Sequence, residues 1–143
     1  MAVRVRLRVR AKQSGKAVET TALVNSGFET DRPQLLIPLA LAEELGLWPE
    51  LPPKTRIEVY GTAGGAARLY VAPNALEVSI LIEGETPSIL CDALISDIEH
   101  EVLIGDKLGG ALGLILEDLA EGIWRLKTDP PTRARKSHPP QYW

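Results

Sequence analysis

Side chains that could exchange a proton or hold a metal are scarce in this chain. Cys91 is the single cysteine, and His100 and His138 are the two histidines. One thiol excludes an intrachain disulfide. Two imidazoles and one thiolate argue against a zinc site, so neither metal nor cofactor is expected. The segment that stands out is Ala22-Leu23-Val24-Asn25-Ser26-Gly27. An apolar run leads straight into a polar triplet closed by glycine, the pattern of a buried strand ending in a sharp turn. Such a turn holds Asn25 at a strand tip, where a rigid scaffold can aim it. An amide there can give and accept hydrogen bonds, but it has no basic oxygen of useful pKa and no acidic proton.

Composition sets the frame around that turn. With 143 residues, 45% of them apolar and 24% charged, the chain has the balance of a globular domain with a real core. A formal net charge of -3 supplies no general attraction for nucleic acid, and no nucleic-acid partner is expected. No apolar run approaches the roughly 18 residues needed to cross a bilayer, so no membrane partner is expected. The N-terminus alternates arginine with apolar residues and lacks the apolar centre of a secretory signal, which predicts a cytoplasmic protein. Eleven prolines beside one cysteine and one methionine lean toward a heat-adapted source.

The elements that would position Asn25 are mostly strands. Val3, Val5, Leu7 and Val9 alternate with Arg4, Arg6, Arg8 and Arg10, a strand with one buried face and a solvated arginine face. Gln13 to Lys16 is a hairpin turn, and Val18 to Val24 the strand that delivers Asn25. Gln34 to Ile37 is a short strand. Pro38 opens a helix carrying Leu39, Leu41, Ala42 and Leu45, which Gly46 stops. Arg56 to Tyr60 and Arg68 to Ala72 form a hairpin with a glycine-rich tip, Gly61 to Gly65. No Gly-Lys-Ser or Gly-Lys-Thr follows that tip, which excludes a phosphate-binding loop of that type. Glu77 to Ile82 and Ser88 to Ile95 predict another strand pair. Val102-Leu103-Ile104-Gly105 is a second apolar run ending in glycine. It precedes a short helix from Asp106, a potential cap, to about Leu112. Gly113 to Leu116 and Ile123 to Lys127 are the last two strands. Residues 1–127 thus form the domain. Residues 128–143, with four prolines and several basic residues, read as an extended tail whose composition favours disorder.

In their order, these parts resemble the retropepsin-like aspartic peptidases, the single-domain family that includes retroviral proteases. The resemblance spans about Val3 to Lys127 and is most specific at Ala22 to Gly27 and at Val102 to Asp106. It implies an all-β, mostly antiparallel closed structure of the acid-protease fold with one or two short helices. It also implies a homodimer, in which two identical subunits build one site for a peptide or protein substrate and the terminal strands interleave. Carried over by position, Asn25 stands where the catalytic aspartate belongs, and Ser26 would support the dyad by hydrogen bonding. Gly27 would let the backbone approach substrate. Glu29 lies near a carboxylate that holds substrate backbone. Tyr60, Gly61, Thr62, Ala63, Gly64 and Gly65 would form the flap that closes over the peptide. Leu103, Ile104 and Gly105 would pack beneath the active-site loop.

The family's chemistry needs two aspartates sharing one proton. A dimer of this chain would carry two amides instead, so the resemblance implies an endopeptidase that is inactive as written. A replaced aspartate, a natural pseudoenzyme that binds extended peptides, and a structural β domain without catalysis all remain open on the sequence.

Overall fold

The computed structural model describes residues 2–62 and 64–143. The first strand, β1 (Arg4–Ala11), shows its periodicity directly, since Val5, Leu7, Val9 and Ala11 have no exposed surface. It turns at Gly15, in the left-handed region at φ 74°, into β2 (Ala17–Val24). Then follow β3 (Gln34–Pro38), α1 (Leu39–Glu44), β4 (Arg56–Thr62), β5 (Gly65–Ile80) and β6 (Ile89–Ser96). The chain continues through β7 (Val102–Ile104), α2 (Asp106–Ala111), β8 (Leu114–Asp118), β9 (Ile123–Leu126) and β10 (Arg135–Lys136).

The fold is all-β with two short helices, as expected. Strands run in the order β1-β2-β7-β3-β6-β5-β4, and β1 also pairs with β5. Six strands therefore close into a barrel, which leaves them few unpaired edges, while β4 extends outward from β5. Pairing is antiparallel except for β2 with β7 and β3 with β6. The apolar faces of β1, β3, β5, β6 and β7 meet inside, and α1 and α2 add Leu41, Ala42 and Leu108 to that core.

One feature of this topology positions the Asn25 turn. Consecutive strands β2 and β3 are not neighbours, because β7 lies between them. It runs parallel to β2, with Val24 opposite Ile104, and antiparallel to β3, with Leu35 opposite Ile104. The loop from Asn25 to Pro33 must arch over the end of β7 to reach β3.

Three expectations change. Arg68–Ala72 and Glu77–Ile82 are not separate strands but parts of β5, sixteen residues long. Pro73 and Asn74 lie between those two segments, where the register shifts between Ala72 and Leu76 and Asn74 takes φ 50°, so a bulge bends the strand without ending it. The bend lets the first half pair with β4 and the second with β1. Asp106 does not cap α2. Gly105 holds the N-cap position, and Asp106 is the first helical residue.

The third change concerns the tail and the arginine face, which cover each other. Ser137 Oγ accepts a hydrogen bond from Arg4 N, and His138 N donates to Arg4 O. Gln141 Oε1 accepts from Arg6 Nη1 and from Thr21 N. Trp143 donates through Nε1 to Thr20 Oγ1, packs against the core, and donates through its main-chain N to His100 O. Arg4 pairs with Glu101 and Arg10 with Glu77, while Arg8 stays exposed. Ordered contacts made one residue at a time leave no periodic trace, which is why composition pointed to disorder. Both terminal segments, β1 and β10, pair within their own chain.

Candidate functional site

Asn25 sits at the end of β2 with its main chain held on both sides. Its N–H donates to Ile104 O at 2.9 Å, and its carbonyl accepts from Phe28 N at 3.0 Å. The side-chain Oδ1 accepts from Gly27 N at 3.1 Å, an Asx turn that sets the rotamer. Nδ2 has no acceptor among the described residues. Phe28 locks the loop to the helix, since its carbonyl accepts from Asp106 N at 3.0 Å. A Cβ on Gly105 would lie 2.9 Å from that same carbonyl oxygen, so only glycine permits this approach. Asp106 Oδ1 completes the lock by accepting from Thr30 N at 3.1 Å. The second apolar-Gly run thus lies beside the Asn25 loop and clamps it through main-chain bonds.

A cleft of about 220 Å³ opens over this loop. Asn25, Gly27 and Phe28 border it, as do Tyr60 and Gly61 of the β4–β5 hairpin. Leu36, Ala67, Leu69 and Leu103 supply its apolar lining, and Leu36 and Leu69 belong to a small buried cluster with Val71 and Leu94. Ile98 and Glu99 complete the rim, their N–H groups donating to Ser96 Oγ. Neither was foreseen. The segment Asp97 to Glu101 carries only a polar pattern, and nothing local to it signals a rim.

The other expected residues divide. Ser26 is exposed and its side chain has no hydrogen bond among the described residues. Thr62 pairs with Gly65 near the hairpin tip, and Gly64 lies in the turn; neither Gly64 nor Gly65 borders the cleft. Ala63 falls outside the described residues. Glu29 lines a neighbouring polar pocket of about 470 Å³ with Arg32, Arg56, Glu58 and Lys107, and Tyr60 borders both spaces. The Tyr60 hydroxyl donates to Glu58 Oε2 at 2.8 Å. Burial, and then that carboxylate, push the phenol up to about 12, so it stays a neutral donor.

Behind the polar pocket lies a carboxylate that sequence reading passed over. Asp92 is 1% exposed. It accepts from Arg32 Nε and Nη2 at 3.0 and 2.9 Å, from Gln34 Nε2 at 3.1 Å and from Asn74 N at 2.8 Å. Burial alone would raise its pKa, but Arg32, Asn74 and Gln34 together hold it below the usual range. Asp92 ties the loop that follows Asn25 to the bulge of β5. Cys91 beside it is buried, and burial pushes its thiol up to about 12, which makes it unreactive.

Among the described residues no group of His, Cys, Asp and Glu is placed to hold a metal ion. No helix among them is long and apolar enough to cross a membrane. No family model and no curated protein matches the sequence.

Proposed function

We propose that this chain is a retropepsin-like aspartic peptidase scaffold that acts as a homodimer on an extended peptide or protein substrate. In this reading the chain as written binds peptide but does not cleave it. The observation that carries the reading is Asn25 itself. It stands at a strand tip, fixed by Ile104 and Gly27, and lines one cleft with Tyr60 and Gly61 of the hairpin and the apolar Leu36 and Leu69. An aspartate at that position would accept the Gly27 N–H with one oxygen and present the other to the cleft. Two such loops meeting across a two-fold axis would place two carboxylates side by side. Like charges about 3 Å apart cannot both ionise easily, so one stays protonated. The pair could then take a proton from water and give one to the substrate carbonyl. Ser26 and Gly27 are exposed beside Asn25, as a loop awaiting a second copy would be. The edge of β4 offers main-chain groups to a peptide lying as an added strand.

Asparagine supplies no such proton traffic. Peptide digestion across about pH 3 to 7 by the chain and by Asn25→Asp, each checked for a folded dimer by sedimentation, tests the reading. Cleavage only by the aspartate variant, strongest at acid pH, is the expected result. No cleavage by a folded, dimeric Asn25→Asp would remove the peptidase reading. Peptide binding by the unaltered chain would then stand as the function, as in a natural pseudoenzyme.

A further inference from the structure

We propose a site for a phosphate group on the outer face of β1, where Arg6 meets Arg133, Arg135, Lys136 and His138 of the docked tail. It is independent of the Asn25 cleft and shares no lining residue with it. The five basic side chains come from opposite ends of the sequence and converge on one open cavity of about 400 Å³. The chain as a whole is acidic, with a formal net charge of -3, so this concentration of cations is local.

Their partners leave charge to spare. Arg6 donates to Thr21 Oγ1 and Gln141 Oε1, both neutral, and has no carboxylate partner among the described residues. Lys136 is exposed and has no ion pair among them. Arg135 is held still, forked on Asp129 at 2.8 and 3.0 Å and lying 5.7 Å from the Trp124 ring centre. Four permanent cations thus face two carboxylates, Asp129 behind Arg135 and Glu83 in front.

Glu83 indicates what the site would take. One of its oxygens lies 3.0 Å from Arg133 Nη2 and 3.5 Å from Arg135 Nη1, yet its side chain is 74% exposed. An exposed pair of this kind contributes little and is easily exchanged. Glu83 therefore stands in for an external anion. A phosphate carries more charge and three acceptor oxygens, matching forked guanidinium donors better than a carboxylate does. The phosphate could belong to a soluble molecule or to a lipid headgroup.

Calorimetric titration with inorganic pyrophosphate at low salt, and co-sedimentation with phosphatidylcholine vesicles containing phosphatidic acid, test the site in the full chain. Saturable one-site binding of pyrophosphate would mark a soluble ligand, and binding to the vesicles alone a headgroup. In either arm Arg133→Ala with Lys136→Ala should weaken binding, by about tenfold for each cation lost. Glu83→Gln should tighten it several-fold. These side chains are exposed, so circular dichroism should show an unchanged fold. The proposal is overturned by absence of binding in both arms, or by binding that none of these substitutions alters. Capture of a single-stranded oligonucleotide without pyrophosphate or vesicle binding would overturn it too.

Discussion

At the scale of single residues, two glycines of one helical turn region carry opposite expectations. Gly105 is required because a methyl group there would meet the Phe28 carbonyl oxygen at 2.9 Å, and a main-chain atom cannot rotate away. Gly105→Ala should cost about 1–3 kcal/mol and loosen the Asn25 loop. Gly110, inside α2, has nothing within 4 Å of the same added atom. Gly110→Ala should stabilise by about 0.5–1 kcal/mol through helix propensity alone. Urea unfolding of both variants reads the difference, and equal effects would break the argument. The sequence pattern Val102 to Gly105 announced a strand ending in glycine. It could not say that the reason was a carbonyl arriving from seventy-odd positions earlier in the chain. Asp92 was hidden for the same reason, since its partners Arg32, Gln34 and Asn74 are remote in sequence.

At the scale of elements, strands with strict alternation were legible and irregular segments were not. β1 announces itself because every second residue is apolar, and burial follows that period without exception from Val5 to Ala11. β5 misled because proline and a left-handed asparagine normally end a strand, whereas a bulge accommodates both. The hairpin tip and Asn25 were legible as turns, but that Tyr60 and Gly61 share a cleft with Asn25 depends on how β4 extends from the barrel on β5. The tail shows the limit most plainly. Its hold depends on Gln141, Trp143 and Ser137, each contacting β1, β2 or the turn before β9. Removing residues 139–143 would strip the Gln141 acceptor from Thr21 N and the half-buried Trp143 ring from the core. Stability should fall by about 1–3 kcal/mol, seen as a lower urea midpoint. No residue of the tail borders the cleft, so the peptide binding proposed above should not change at temperatures where the protein stays folded. A gain in peptide affinity on truncation would mean that the tail competes for the cleft.

At the scale of the whole molecule, two carboxylates, Asp92 tying the loop before β3 to the barrel and Asp129 tying β9 to β10 in the small sheet, make acid the condition that loosens the fold. Asp129 accepts from both arms of Arg135 and from Leu126 N, and these bonds hold it down at about 2. Asp92 is likewise held below its ordinary value, against the opposing pull of burial. In the unfolded chain both would titrate near about 3.9. Between the folded and unfolded values the unfolded chain binds more protons, so stability rises with pH there. The contribution is complete above about pH 5 and is lost as pH falls through about 4 toward 2. Asp129→Asn should therefore lower stability at pH 7 but change it little near pH 2, flattening the acid side of the curve. Urea midpoints for the two proteins at several pH values between about 2 and 7 measure this directly. Parallel curves would show that Asp129 titrates alike in both states. The same slope bears on catalysis: an Asn25→Asp variant active in acid would gain a protonated dyad over the pH range where these anchors weaken. Its apparent optimum should then move to lower pH when unfolding is suppressed by bound peptide, because peptide binding adds stability that the two carboxylates no longer supply.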